Sequence, residues 1–239
     1  MEASLSNPRH FPVRLPGDPE VLTDLRDKGY TIVKVLTEEK NDEIRAMFWD
    51  WLEGTYEGVD RNDSKTWVDD SGSWPGNSHG ILMSESVGHA PFMWEARQQQ
   101  DVIRTFANIW DAADDEMVTS FDGACMIRPS ETNPITKPNK WEHFDQNYYL
   151  HEGLENIQGL LNLEDSQEKD GGLVVYPHSN KQFVDFFKRK PNFSGRGNFV
   201  RIPQKDEILK QQKGLPDSGR TKVVAPKGTL LLWDSRTAH

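Results

Sequence analysis

Cysteine is almost missing from this chain: Cys125 is the only one in 239 residues. That excludes an intramolecular disulfide and any multi-cysteine zinc or iron–sulfur site, so a metal here has to be held by histidine and carboxylate, and a reducing compartment is the natural setting. With no base beside it in sequence, Cys125 reads as a small buried hydrophobe rather than a nucleophile. Long apolar runs are missing too. No stretch is apolar enough to cross a bilayer, and the opening MEASLSNPRHFPVRLPGDPE has neither the apolar core of a secretory leader nor the Arg/Ser-rich pattern of an organellar one. A cytoplasmic protein without a membrane partner is expected. An excess of positive charge is also lacking. The 28 Lys and Arg face 38 Asp and Glu, a net charge of −10, which argues against a nucleic-acid partner held by its phosphates. No internal repeat is visible, which sets aside solenoids and propellers.

What the chain has in quantity is aromatic side chains, with eight Trp and eleven Phe, the profile of a chain that buries a core. A single domain over residues 1–239 is expected, helix-rich over 1–115 and strand-rich over 116–239. In the first part, PEVLTDLRDKG and TEEKNDEIRAMFWDWLEG have helical apolar spacing with Gly stops and a Thr37 cap, and the β-branched YTIVKVL lies between them. FMWEARQQQDVIRTFANIW predicts one helical stretch over about Pro91 to Trp110, with Trp94, Val102, Phe106 and Ile109 on a core-facing side. After Asp115 come short β-type runs between Gly, Pro and Asn: MVTSFDGACMIRP, WEHFDQNYYL, NIQGLLNL, GGLVVYP and TLLLWDSR. That is the texture of a sandwich or jelly roll, not of βαβ units. The expected fold is therefore α+β with a mainly β core.

Between Lys181 and Lys222 there are eleven Lys and Arg against four acids. The stretch reads as helix and loop inserted between strands over one end of the barrel. Its charge fits either a solvated face or a rim that attracts an anionic small-molecule substrate.

The informative run is Trp141-Glu142-His143-Phe144-Asp145. In a strand, residues two apart share a face, so His143 and Asp145 aim into one cavity while Phe144 packs behind. His239, at the end of the strand-like GTLLLWDSRTAH, supplies a third ligand. Two His and one carboxylate leave adjacent coordination positions open, as iron(II) needs when it must bind a chelating cosubstrate and dioxygen together. The same set could hold zinc and activate water for hydrolysis, and a jelly roll can also be a non-catalytic binding module.

Around this triad the sequence resembles the phytanoyl-CoA dioxygenase-like family of iron(II)/2-oxoglutarate oxygenases. The likeness rests on Gly88-His89-Ala90 before a helix, on Met126-Ile127-Arg128-Pro129 ending the strand before the metal strand, and on His143-x-Asp145-Gln146. It is completed by the Asp170-Gly171-Gly172-Leu173 to Pro177-His178-Ser179-Asn180-Lys181 turn and by Trp233-Asp234-Ser235-Arg236-Thr237-x-His239. The resemblance implies a double-stranded β-helix of the cupin-like kind, with N-terminal helices packed on it. It implies Fe(II) held by His143, Asp145 and His239, with 2-oxoglutarate and O2 as cosubstrates and succinate and CO2 as coproducts. Because Asp145 fills the carboxylate position, hydroxylation is expected over halogenation.

For the cosubstrate pocket the resemblance points to Met126, Arg128, Leu160 and Asn162. Leu160 stands where relatives often carry Trp, Ser86 where they often carry Lys, and His178 and Asn180 where the turn has Gly and His. It also implies an Arg some ten residues beyond the distal histidine, on one further strand, and so the native protein is expected to continue past His239. Arg128 is the internal substitute, facing either the cavity or the strand end. Asp234 and Arg236 are expected to pair with each other or with loop backbone.

Overall fold

The computed structural model describes residues 12–68, 74, 76–77, 79–129, 141–190, 195 and 197–239. Residues 1–11, where no leader pattern is expected, and 191–194 and 196 of the basic stretch lie outside the described residues. In chain order the first elements are α1 (Glu20–Lys28), β1 (Tyr30–Lys34), α2 (Glu38–Thr55), β2 (Ile81–Leu82), α3 (Pro91–Arg97), α4 (Gln100–Trp110) and β3 (Ala124–Cys125). They are followed by β4 (His143–Phe144), β5 (Ile157–Asn162), β6 (Val174–Val175), α5 (Phe183–Lys188), β7 (Val200–Arg201), β8 (Thr221–Lys222) and β9 (Thr229–Asp234). Helix and strand are mixed, and the chain clusters into two compact units, Met1–Lys34 with Trp141–His239, and Val35–Lys140.

In the first of these units the longest strands make an antiparallel sheet in the order β1-β9-β5. The central strand β9, Thr-Leu-Leu-Leu-Trp-Asp, is buried along its whole length, as a strand must be that carries no outward polar position. Register places Tyr30 and Gln158 on either side of Trp233, and Ile32 and Leu160 on either side of Leu231. One face of the sheet thus collects Tyr30, Ile32, Leu231 and Trp233, which close with Val175, Val223 and Ala225 into a core. Each fully buried aliphatic side chain in it contributes about 1.5–3 kcal/mol.

A second core gathers Phe144, Tyr176, Phe183, Phe186, Phe187, Val200, Ile202 and Ile208. Phe144 meets Phe183 and Phe186 edge-on, each with ring centroids 5.2 Å apart. This corrects the expected inserted segment: residues 181–222 do not merely interrupt the strands. Val200–Arg201 pairs with His143–Phe144, and Thr221–Lys222 with Val174–Val175. Strands only two residues long leave no alternation for the eye to find, while Val200, Ile202 and the three Phe of α5 bury one side of the segment. Part of its positive charge is paired: Lys181 with Asp27, Lys188 with Asp185, and Arg189 and Lys190 with Asp206.

The turn after α1 ties that helix to the distal end of the chain. Gly29 closes the helix at φ 85°, its N–H bonded to the carbonyls of Asp24 and Leu25. Its own carbonyl accepts from the Asp234 N–H and the Thr237 hydroxyl, and a Cβ at this position would collide with Thr237 Oγ1. Helix end and distal turn are therefore in backbone contact. His178, where the resemblance expects Gly, sits in the left-handed region at φ 66°. Its ring bonds the Asp27 carbonyl and Asp217, and Asn180 Nδ2 donates to the carbonyls of Leu25 and Arg26. Side chains of this turn thus satisfy backbone groups that the end of α1 leaves open.

In the second unit α2 begins at the Thr37 cap, whose side chain accepts from the Lys40 N–H, and buries Ile44, Phe48 and Leu52 at four-residue spacing. Phe48 packs perpendicular to Phe92 of α3 at 5.3 Å. The single helix expected over 91–110 is two, α3 and α4, because Gln99 leaves the helical region at ψ 126°. Its side chain caps back onto the Glu95 carbonyl. Phe92, Thr105 and Ala107 are the buried positions, whereas Trp94, Val102, Phe106 and Ile109 are half-buried. Cys125, expected inside, is exposed on β3.

Candidate metal centre

His143 begins β4. Its N–H donates to the His239 carbonyl at 3.0 Å, and the His239 N–H returns to the His143 carbonyl at 3.1 Å. The Asp145 N–H continues this contact to the Ser235 carbonyl at 3.0 Å. The end of the chain is therefore laid along the strand that carries the His-x-Asp pair. The two-residue period turns Phe144 into the aromatic core and leaves His143 and Asp145 on the other side.

The side chains converge as the sequence predicts. One ligand atom from each of His143, Asp145 and His239 lies within 4.8 Å of the others. His143 Nε2 is 3.4 Å from Asp145 Oδ1, and His239 Nε2 is 3.1 Å from Asp145 Oδ2. Each imidazole is held from behind: His143 Nδ1 bonds the Trp141 carbonyl at 2.8 Å, and His239 Nδ1 the Thr237 carbonyl at 3.0 Å. A carbonyl only accepts, so each Nδ1 carries the proton and each Nε2 presents a lone pair to the centre.

Two lone pairs and a carboxylate facing one another in a buried place need positive charge between them. Protons on both Nε2 atoms would set two cations side by side, with rings only 4.2 Å apart. A single divalent ion meets the need without that repulsion, and the donor set, two imidazoles and one carboxylate, suits one of the iron type. Burial works against ionised Asp145, and it takes positive charge beside it, protonated His143 and His239 in the metal-free site or a bound divalent ion in their place, to hold the carboxyl well below the ordinary carboxylate range.

Surrounding groups fix these three side chains. Gln158 Nε2, on the sheet face that β5 turns toward the site, donates to Asp145 Oδ2 at 2.5 Å. The turn to His239 is tied at several points. Ser235 Oγ donates to Gln146 Oε1, the Ala238 N–H to Ser179 Oγ, and Arg236 grips Asp234 through Nε and Nη2, the pairing expected from the sequence. Behind β4, Glu142 accepts from the Tyr176 hydroxyl and from Gln204. Burial first, and then the charge of Glu142, push the Tyr176 hydroxyl up to about 12.

Two buried donors on the same sheet face as Gln158 have no hydrogen-bond partner, Asn162 Nδ2 and Trp233 Nε1. Asn162 and Leu160 follow Gln158 at two-residue steps, and Trp233 is its cross-strand neighbour. Orphaned donors of this kind fit an anionic ligand, since each costs about 1–3 kcal/mol unless something accepts from it.

The other sequence-predicted pocket residues lie in the second compact unit. The Met126 N–H bonds the Gly80 carbonyl. Arg128 is buried, donates to the Trp67 carbonyl at 2.7 Å and lies 4.6 Å over the Trp74 ring. His89 is exposed and stacks on Phe121 at 4.3 Å. Two site neighbours escape the sequence reading. Trp141 lies 4.7 Å from the His143 ring and Phe199 4.5 Å from it. Trp141 could have been placed by strand period alone, but no local signal ties Phe199 to His143 before the pairing of β4 with β7 is known.

Comparison with known proteins gives likenesses in sequence and in fold. The family model described as phytanoyl-CoA dioxygenase (PhyH) matches residues 25–239. The Ava biosynthesis cluster protein O of Aspergillus versicolor is 33% identical over 227 residues, spanning 90% of this chain and 71% of that protein. Among solved structures, a hypothetical protein of Escherichia coli, JW0805, superposes with a TM-score of 0.61 at 12% identity, covering 95% of this chain and 67% of that one. AviO1 of Streptomyces viridochromogenes Tue57 superposes with a TM-score of 0.52 at 13% identity, covering 92% and 84%.

Proposed function

We propose that this chain, which belongs to the phytanoyl-CoA dioxygenase family, is an iron(II)- and 2-oxoglutarate-dependent oxygenase that hydroxylates a small molecule at the centre formed by His143, Asp145 and His239. The observation that carries the reading is the pair of Nε2 lone pairs, locked by the Trp141 and Thr237 carbonyls, turned onto one carboxylate. The double-stranded β-helix of the family is the arrangement in which such short antiparallel pairs enclose a site. The curated relative's name places that protein in a biosynthetic cluster, which supports a small metabolite as the substrate class here.

Bound at this centre, iron(II) would supply the oxidising power with 2-oxoglutarate and O2, with succinate and CO2 as coproducts. The protein's part is placement. His143 and His239 present neutral imidazoles, and Gln158 keeps the Asp145 carboxylate turned to the metal by holding Oδ2. Asn162 Nδ2 and Trp233 Nε1 would offer hydrogen bonds to cosubstrate carboxylate oxygens, and Leu160, between Gln158 and Asn162 on the strand, would line its methylenes.

Anaerobic addition of iron(II) and then 2-oxoglutarate tests the assignment. A visible charge-transfer band is expected from the wild type and none from Asp145→Ala. A colourless wild type, or hydrolytic turnover with zinc alone, would remove the oxygenase reading.

A further inference from the structure

We propose that Phe199 and Arg201 form the substrate-recognition face of this centre, and that they select a flat apolar molecule carrying an anionic group. The inference rests on the reading that oxidation takes place at His143, Asp145 and His239. Its starting point is the register of β4 and β7, in which His143 stands opposite Arg201 and Phe144 opposite Val200. The Ile202 N–H bonds the Glu142 carbonyl, which makes His143 and Arg201 a non-hydrogen-bonded pair, the kind with the closer side chains. Cross-strand partners share a face. Phe144 and Val200 go into the aromatic core, so His143, Arg201 and, two residues before it, Phe199 lie on the opposite side, that of the metal centre.

Phe199 is 51% exposed, yet it is not a stray surface ring. It lies at 34° to the His143 ring, and Trp141 flanks the same imidazole at 39°. A half-open aromatic face fixed against a metal ligand offers a planar molecule a stacking surface beside the reacting atoms. Arg201 adds the charge. Lys181, Lys188, Arg189 and Lys190 of its segment are in ion pairs; Arg201 is among the cations that have none among the described residues, and it stands in register with His143. The acids near it are engaged elsewhere: Glu142 accepts from Tyr176 and Gln204, and Asp145 faces His143, His239 and Gln158. A guanidinium left open next to an aromatic platform matches a carboxylate or phosphate on an otherwise apolar substrate.

The test uses a matched pair of probes, 2-naphthoate and its neutral amide, titrated against metal-free protein and followed by tryptophan fluorescence and calorimetry. Binding is read without turnover, so failure here is separate from failure of the iron assignment, which the charge-transfer band reports. The wild type is expected to hold naphthoate about fivefold or more tighter than the amide, the range of a partly exposed charge-assisted pair. Arg201→Gln should abolish that preference without changing amide affinity, Arg201→Lys should restore part of it, and Phe199→Ala should weaken both probes. No binding of either probe at millimolar concentration, equal affinity for the two in the wild type, or a preference that survives in Arg201→Gln overturns the proposal. Phosphate-bearing and carboxylate-bearing naphthalenes then separate the two anion sources.

Discussion

Removing the amide behind the carboxylate ligand, by Gln158→Leu, tests whether the centre is pre-organised for a metal. Gln158 Nε2 lies 2.5 Å from Asp145 Oδ2, and the carboxylate side chain retains 23% of its accessibility. A hydrogen bond to a charged group contributes about 1.5–3 kcal/mol when water is excluded. The residual exposure of Asp145 argues for the lower half of that range, about 1.5–2 kcal/mol, or a roughly 10- to 30-fold weaker metal affinity. Leu keeps the apolar volume and meets Leu160 and Trp233 on the same sheet face, so the fold should hold. The assay is calorimetric titration with Mn(II) under inert gas, together with a thermal melt of the metal-free protein. Unchanged Mn(II) affinity in a variant that melts like the wild type would show that Gln158 does not orient the ligand, and would refute the reasoning from this contact.

Two further outcomes concern the scaffold. Asp24 is buried, with Arg14 Nε at 2.9 Å and Lys28 Nζ at 2.7 Å. Burial alone would raise its pKa, but the two cations outweigh it and lower the value from 3.8. A depressed folded pKa means stability that is present above the unfolded value near 3.8 and is lost as pH falls through the folded one. Asp24→Asn should therefore cost about 2 kcal/mol at neutral pH and have little effect near pH 2, as read by urea melts at both; an equal loss at the two pH values would contradict the pairing. Gly29→Ala combines a left-handed backbone with a collision against Thr237 Oγ1 and should cost about 2–4 kcal/mol. It should also displace His239, so that metal affinity falls even where the variant is folded. A folded Gly29→Ala protein with wild-type Mn(II) affinity would show that this turn does not place the ligand.

How much was legible in the sequence depends on the range of the interactions involved. His143 and Asp145 could be read because strand period is local: two residues apart means one face, whatever the strand pairs with. The α1 stop at Gly29 and the Thr37 cap are local for the same reason. Their energy comes from backbone groups within one turn, and the structure has both where composition puts them. His239 was within reach because GTLLLWD is too apolar for anything but a central strand, which then delivers the turn behind it.

The residues that escaped are those whose meaning depends on a partner far away in sequence. Phe199 and Arg201 belong to a two-residue strand and its approach, too short to alternate, and only the pairing with β4 brings them to His143. The excess of eleven cations over four acids in residues 181–222 suggested a rim in general, yet four of those cations, Lys181, Lys188, Arg189 and Lys190, are paired with acids and the rest are spread over the segment, so net charge pointed at the segment without choosing the residue. Register does choose. The pairing that sends Val200 into the aromatic core behind Phe144 leaves Phe199 and Arg201 no side but that of His143. A one-residue slip of β7 would bury Arg201 among Phe183, Phe186 and Phe187, at the cost of an unpaired charge in a hydrocarbon core. The aromatic cluster thus protects the arrangement at the metal centre: the same packing that stabilises the sheet fixes which side chains stand beside the ligand.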